Sequence, residues 1–109
     1  MHNVFVIKRG DTSPTLRYLL PADVSLAGAQ VLFQMRKHHD ETVIDAPALI
    51  ETVFAPAVMG YAWTPSDTGV AGRYQAEFKI TYADGAIETF PNSGFIDVFV
   101  AEDVPGLLA

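Results

Sequence analysis

Asp67-Thr68-Gly69 is the sharpest chemical signal in the chain. Asp-Thr-Gly is the active-site triplet of aspartic proteases, where two aspartates share one proton across a dimer axis. That chemistry needs the aspartate flanked by apolar strand residues. Here the triplet follows Thr64-Pro65-Ser66, and Asp, Thr and Gly in that company are ordinary turn residues. Short motifs also match by chance often. A dimeric aspartic protease is therefore kept only as an alternative, and no catalytic residue is predicted.

Two other clusters carry possible ligands. His38-His39-Asp40-Glu41 contains metal-binding types, but adjacent side chains on a strand face opposite ways, so a solvated hairpin tip explains them better. Asp11-Thr12-Ser13 reads as an Asx-type turn rather than a cation site. His2 reads as a terminal or edge residue. There is no cysteine, which removes disulfides, thiolate metal sites and cysteine nucleophiles. No metal and no cofactor is predicted.

The elements that must position these residues are strands. Arg73 to Tyr82 alternates without a break: Tyr74, Ala76, Phe78, Ile80 and Tyr82 point one way, and Arg73, Gln75, Glu77, Lys79 and Thr81 the other. A period of two over that length means a long strand with one buried and one wet face. It ends at Ala83-Asp84-Gly85, a tight-hairpin signal. Further strands are expected at 3–8, 15–20, 30–36, 42–44, 49–54, 59–63, 87–90 and 95–100, with a tail from about residue 102. Regular short strands punctuated by Gly, Pro and Asp predict an all-β antiparallel sandwich of about eight short strands in one domain, residues 1–109. Residues 65–68 have the pattern of one helical turn, with Thr64 as N-cap.

One feature points to the immunoglobulin type of sandwich. Such domains carry a tyrosine at the start of strand F, two residues before a core position. Tyr74 and Ala76 occupy those places, after a turn that Asp67 opens. Trp63 precedes this turn and so is not the strand-C tryptophan of antibodies. The predicted core contains Val31, Phe33, Trp63, Tyr74, Phe78 and Ile80.

Composition bounds the partners. Thirteen acids against seven bases give a formal net charge of −6. That lacks the basic footprint that nucleic acid and anionic membrane surfaces require. No apolar run reaches the ~20 residues needed to span a bilayer as a helix, and the start has no basic segment ahead of its apolar run, so no secretory signal is read. The first and last strands are apolar on both faces: Val4 and Val6 oppose Phe5 and Ile7, while Phe95 and Phe99 oppose Ile96, Val98 and Val100. Antiparallel strands covered on one side should alternate with polar residues. Val4, Val6, Phe95 and Phe99 are therefore the predicted assembly interface, unless residues 21–28 or the tail cover them.

Several segments together resemble a known family. They are Phe5-Val6-Ile7-Lys8-Arg9-Gly10-Asp11-Thr12-Ser13-Pro14; Ser25-Leu26-Ala27-Gly28-Ala29 leading into Val31-Leu32-Phe33-Gln34-Met35-Arg36; Tyr61-Ala62-Trp63-Thr64-Pro65-Ser66-Asp67-Thr68; Ala71-Gly72-Arg73-Tyr74-Gln75-Ala76-Glu77-Phe78; Asp84-Gly85; and Thr89-Phe90-Pro91-Asn92-Ser93-Gly94. In order and spacing they resemble the N-terminal domain of bacteriophage baseplate upper proteins. The resemblance implies a non-catalytic structural or adaptor part of a phage or prophage tail. Its partners would be other tail proteins or further copies of itself. It would be located in the virion, or in the host cytoplasm before assembly. In larger relatives such a domain precedes segments that carry receptor-binding proteins, whereas this chain stops after it. A surface- or carbohydrate-binding module is the alternative, and it would show an exposed aromatic platform on loops.

Overall fold

The alternating segment at 73–82 becomes the spine of the larger of two sheets. A computed structural model of the chain describes residues 3–37 and 41–103. Among them are nine strands: β1 Asn3–Lys8, β2 Leu16–Leu19, β3 Gln30–Lys37, β4 Glu41–Pro47, β5 Leu49–Thr52, β6 Val58–Tyr61, β7 Gly72–Thr81, β8 Ile87–Phe90 and β9 Ile96–Ala101. The larger sheet runs β1-β9-β7-β3-β4, with β8 also paired to β7; the smaller runs β2-β6-β5. The chain is an all-β sandwich. Its strand order follows the immunoglobulin plan, with β2, β6 and β5 in the places of strands B, E and D, and β9, β7 and β3 in those of G, F and C.

The inner faces are those that alternation selects. β7 supplies Tyr74, Ala76, Phe78 and Ile80, β3 supplies Val31, Phe33 and Met35, and β9 supplies Ile96, Val98 and Val100, all buried. From the smaller sheet Leu16, Met59 and Tyr61 close over them. Phe33 stands at the centre: its ring stacks on Tyr61 at 4.4 Å between centroids and meets Phe78 at 5.1 Å and Trp63 at 5.7 Å. Trp63 sits at the entrance to the β6–β7 corner, not on β3, and also stacks on Phe5. All six predicted core residues are buried.

The tyrosine corner is formed. Tyr74 Oη donates to the Val70 carbonyl at 2.6 Å, tying the start of β7 to the turn before it. The β7–β8 hairpin closes where Asp-Gly predicts: Tyr82 N–H donates to the Ala86 carbonyl, Asp84 Oδ1 accepts from the Ala86 N–H, and Gly85 takes φ 90°. Gly28 has φ 70°, and a Cβ there would lie 3.0 Å from that of Ala83. The turn entering β3 thus requires glycine for both conformation and space.

The structure corrects the purely antiparallel expectation. β1 pairs β9 in parallel, from Asn3↔Ile96 to Lys8↔Ala101. The physical reason lies in the Gly10–Pro14 turn. It does not fold β1 back on β2 as a hairpin but carries the chain to the opposite sheet, leaving β1 to pair with a strand that arrives last. Boundaries also shift. β4 is longer than expected, β5 stops at Thr52, and Phe95 lies just before β9 rather than in it.

Candidate functional site

The four predicted interface residues lie on the outward side of the larger sheet. β1 is one of its edges. Its inward residues Phe5 and Ile7 join the core, while Val4 and Val6 remain 53% and 59% exposed. The register sets Val6 beside Phe99 and Phe99 beside Arg73. The Arg73 guanidinium lies over the Phe99 ring, 4.9 Å from its centroid, and leaves the ring half-buried. A cation held over an aromatic face is attracted by the ring quadrupole. Val4, Val6 and Phe99 therefore form one apolar strip, bordered by Arg73 beside Phe99 and by Asp97 beside Val4.

Phe95 belongs to a different part of that face. It sits in the β8–β9 connection, with Arg36 4.9 Å above its ring. It borders an open cleft of about 230 Å³ whose other walls include Gln34, Asp45, Gln75 and Glu77. Arg36 Nε donates to Gln75 Oε1 at 3.1 Å, which fixes the guanidinium across β3 and β7. Sequence reasoning grouped Phe95 with Phe99 and missed both arginines. Both arginines were legible as outward residues, Arg36 after Gln30 and Gln34 on β3 and Arg73 at the head of β7. Their pairing with phenylalanines depends on register, which a single strand does not reveal.

Intrachain coverage of the strip by residues 21–28 is not what the structure shows. Leu26 of that connection is buried and its N–H donates to the Val53 carbonyl, so the connection packs beside the β5–β6 loop. The end of the tail, residues 104–109, lies outside the described residues. The open edge of β1 borders a second cleft of about 110 Å³, between Asn3, Val4 and Phe5 of β1 and Leu16, Arg17 and Tyr18 of β2.

The Asp-Thr-Gly triplet lies in the β6–β7 corner. Asp67 Oδ2 accepts from Tyr61 Oη and from the Thr64 N–H, both at 2.8 Å. Thr64-Pro65-Ser66-Asp67 is thus half of a capping box: the acid reaches back to the first N–H and proline occupies the first turn position. Burial and then the hydrogen bond to Asp67 push the Tyr61 phenol up to about 12. Thr68 is fully buried; its Oγ1 donates to the Asp11 carbonyl at 2.8 Å, and its carbonyl accepts from the Gly10 N–H. Two segments read separately in sequence, Gly10–Pro14 and Asp67–Gly69, are therefore fastened to each other.

His2 and His38, His39 and Asp40 lie outside the described residues; Glu41 begins β4. Among the described residues no group of three His, Asp or Glu side chains converges on a metal-sized site, and no helix is long and apolar enough to cross a membrane. Comparison with known proteins returns no family model, no curated protein and no solved structure that matches the chain.

Proposed function

We propose that this chain is a non-catalytic structural or adaptor component of a bacteriophage or prophage tail or baseplate, acting through protein–protein assembly. The observation that carries the assembly half of this reading is the apolar strip of exposed Val4 and Val6 and half-buried Phe99 on the outer face of the larger sheet. Contiguous apolar surface at a sheet edge marks a contact. The tail assignment rests on the ordered segments that resemble baseplate upper proteins. A net charge of −6 keeps free subunits apart, so association must come from a specific surface. The test is co-expression with the proteins encoded beside it, followed by light scattering on the purified material. Wild type should enter a complex with a tail protein. Phe99→Asp should lose that complex while melting as one folded species, because its ring is half outside the core. A wild type that joins no tail protein overturns the reading.

A second reading is favoured by one observation. Phe95 sets an aromatic ring, one face of it under Arg36, at the rim of a cleft lined by amides, carboxylates and that arginine, groups that pack against and hydrogen-bond a sugar. Binding in a glycan array that Phe95→Ala abolishes would establish it. An empty array would remove it.

A further inference from the structure

The sandwich has five open strand edges among its described residues, and four of them are protected. β4 ends in Pro47, carries Glu41 and Asp45, and is irregular against β3 between Met35 and Arg36. β5 is four residues long, with a register shift at Glu51. β2 is also four residues and holds Arg17, paired to Glu51 at 2.8 Å. The Thr89 carbonyl of β8 accepts from the Asn92 side chain. Short edges, charges, bulges and proline are the usual defences against edge pairing.

β1 is the least defended. It is six residues long, free of proline and regular against β9 throughout; Val4 to Ile7 carry no charge, and only its last residue, Lys8, is charged, its carbonyl accepting from the Asp11 N–H at 3.0 Å. The Arg9 N–H donates to the Ala101 carbonyl at 2.8 Å. Strand alternation then turns the N–H groups of Ile7 and Phe5 toward β9 and those of Val4, Val6 and Lys8 toward the open side.

We infer that β1 pairs antiparallel with β1 of a second copy of this chain, joining two larger sheets into one across a two-fold axis at Val6. This deepens the assembly reading and rests on it. Three observations select this occupant and register. A two-fold axis normal to the sheet keeps inner faces together only if residues of like parity oppose each other. Centring on Val6 uses the edge-facing N–H groups of Val4, Val6 and Lys8 together with the carbonyls of Val4 and Val6, while the Lys8 carbonyl accepts from the Asp11 N–H of its own chain. It also sets Phe5 against Ile7 of the partner subunit on the core side, and merges the two Val6–Phe99 strips on the outer side. Finally, Lys8 of the partner subunit falls opposite Val4, whose neighbour on β9 is Asp97. A cation thus lies one strand from a carboxylate, and the two lysines do not oppose each other.

The experiment measures light-scattering mass and amide hydrogen exchange over a wide concentration range, for wild type, Val6→Pro and Lys8→Glu. Wild type should rise from 11.8 kDa toward twice that mass, with exchange at Val6 and Lys8 slowing in step. Val6→Pro removes a donor that faces the open side and so keeps the pairing to β9; it should remain monomeric. Lys8→Glu leaves every backbone group in place and should weaken dimerisation, most at low salt. A wild type that stays monomeric overturns the inference, whether its Val6 amide exchanges freely or is protected by its own chain. So does a dimer indifferent to both substitutions. Failure to bind a tail protein by a wild type that dimerises overturns the tail assignment and leaves the edge pairing intact. A monomer that binds a tail protein does the reverse.

Discussion

Single residues divide between those that hold the core and those that fasten its ends. Phe78 is fully buried on the central strand and touches Phe33 and Tyr18. Its neighbours stand on paired strands, so the space of its ring refills only in part. Phe78→Ala should therefore cost about 3–5 kcal/mol, read from urea or thermal unfolding. Tyr74 is a different case. Its ring packs, but its hydroxyl makes one bond, to Val70. Tyr74→Phe keeps the packing and leaves a carbonyl beside an exposed turn, so the loss should be about 1 kcal/mol. A loss as large as that of Phe78→Ala would mean that the corner organises more than its own turn.

At the scale of elements, close approach matters more than propensity. Gly60 lies in the middle of β6, where glycine is ordinarily unfavourable. A Cβ there would lie 2.6 Å from the Leu16 carbonyl oxygen and 3.4 Å from Glu51 Oε2. The first of these is backbone in a paired strand, which cannot swing aside. Gly60→Ala should destabilise by about 1–3 kcal/mol, although alanine has the better strand entropy. A neutral or stabilising result in thermal melting would show that β2 yields at Leu16. The same element-level view explains Thr68. Its two bonds to Gly10 and Asp11 join the β6–β7 corner to the crossing between sheets. The triplet that invites a protease reading thus acts as a brace.

The whole molecule should respond to alkaline pH through its tyrosines. Tyr61 and Tyr82 are both pushed up to about 12 from the ordinary 10.0, chiefly by burial, then by hydrogen bonds to Asp67 and Glu88 respectively. The folded state therefore holds these protons more tightly than the unfolded chain. Their contribution is complete below about pH 10 and is lost as pH rises through about 12. Denaturant unfolding should show stability falling across that window, with Tyr61→Phe and Tyr82→Phe each flattening the fall. A profile unchanged by both substitutions would refute the assignment.

Much of the architecture was legible in the sequence, because alternation is a local property. A strand with one buried face must repeat every two residues, so β3 and β7 could be placed by alternation alone, while β1 and β9 stood out as short apolar runs between turn residues. Asp84-Gly85 fixed a hairpin by dihedral preference, and Tyr74 fixed a corner by its offset from Ala76. The outward position of Val4, Val6 and Phe99 was legible from the same parity, although on β9 Asp97 shares the outer row with Phe99. What depended on tertiary structure was everything decided by register and direction. The parallel pairing of β1 with β9, the arginines laid over Phe95 and Phe99, the splitting of those two phenylalanines between cleft and strip, and the fastening of Thr68 to Asp11 all join residues far apart in the chain. Local sequence restricts each strand to two faces, but hydrogen bonds between strands choose its neighbour. Only packing against the opposite sheet then settles which side of that neighbour is left open.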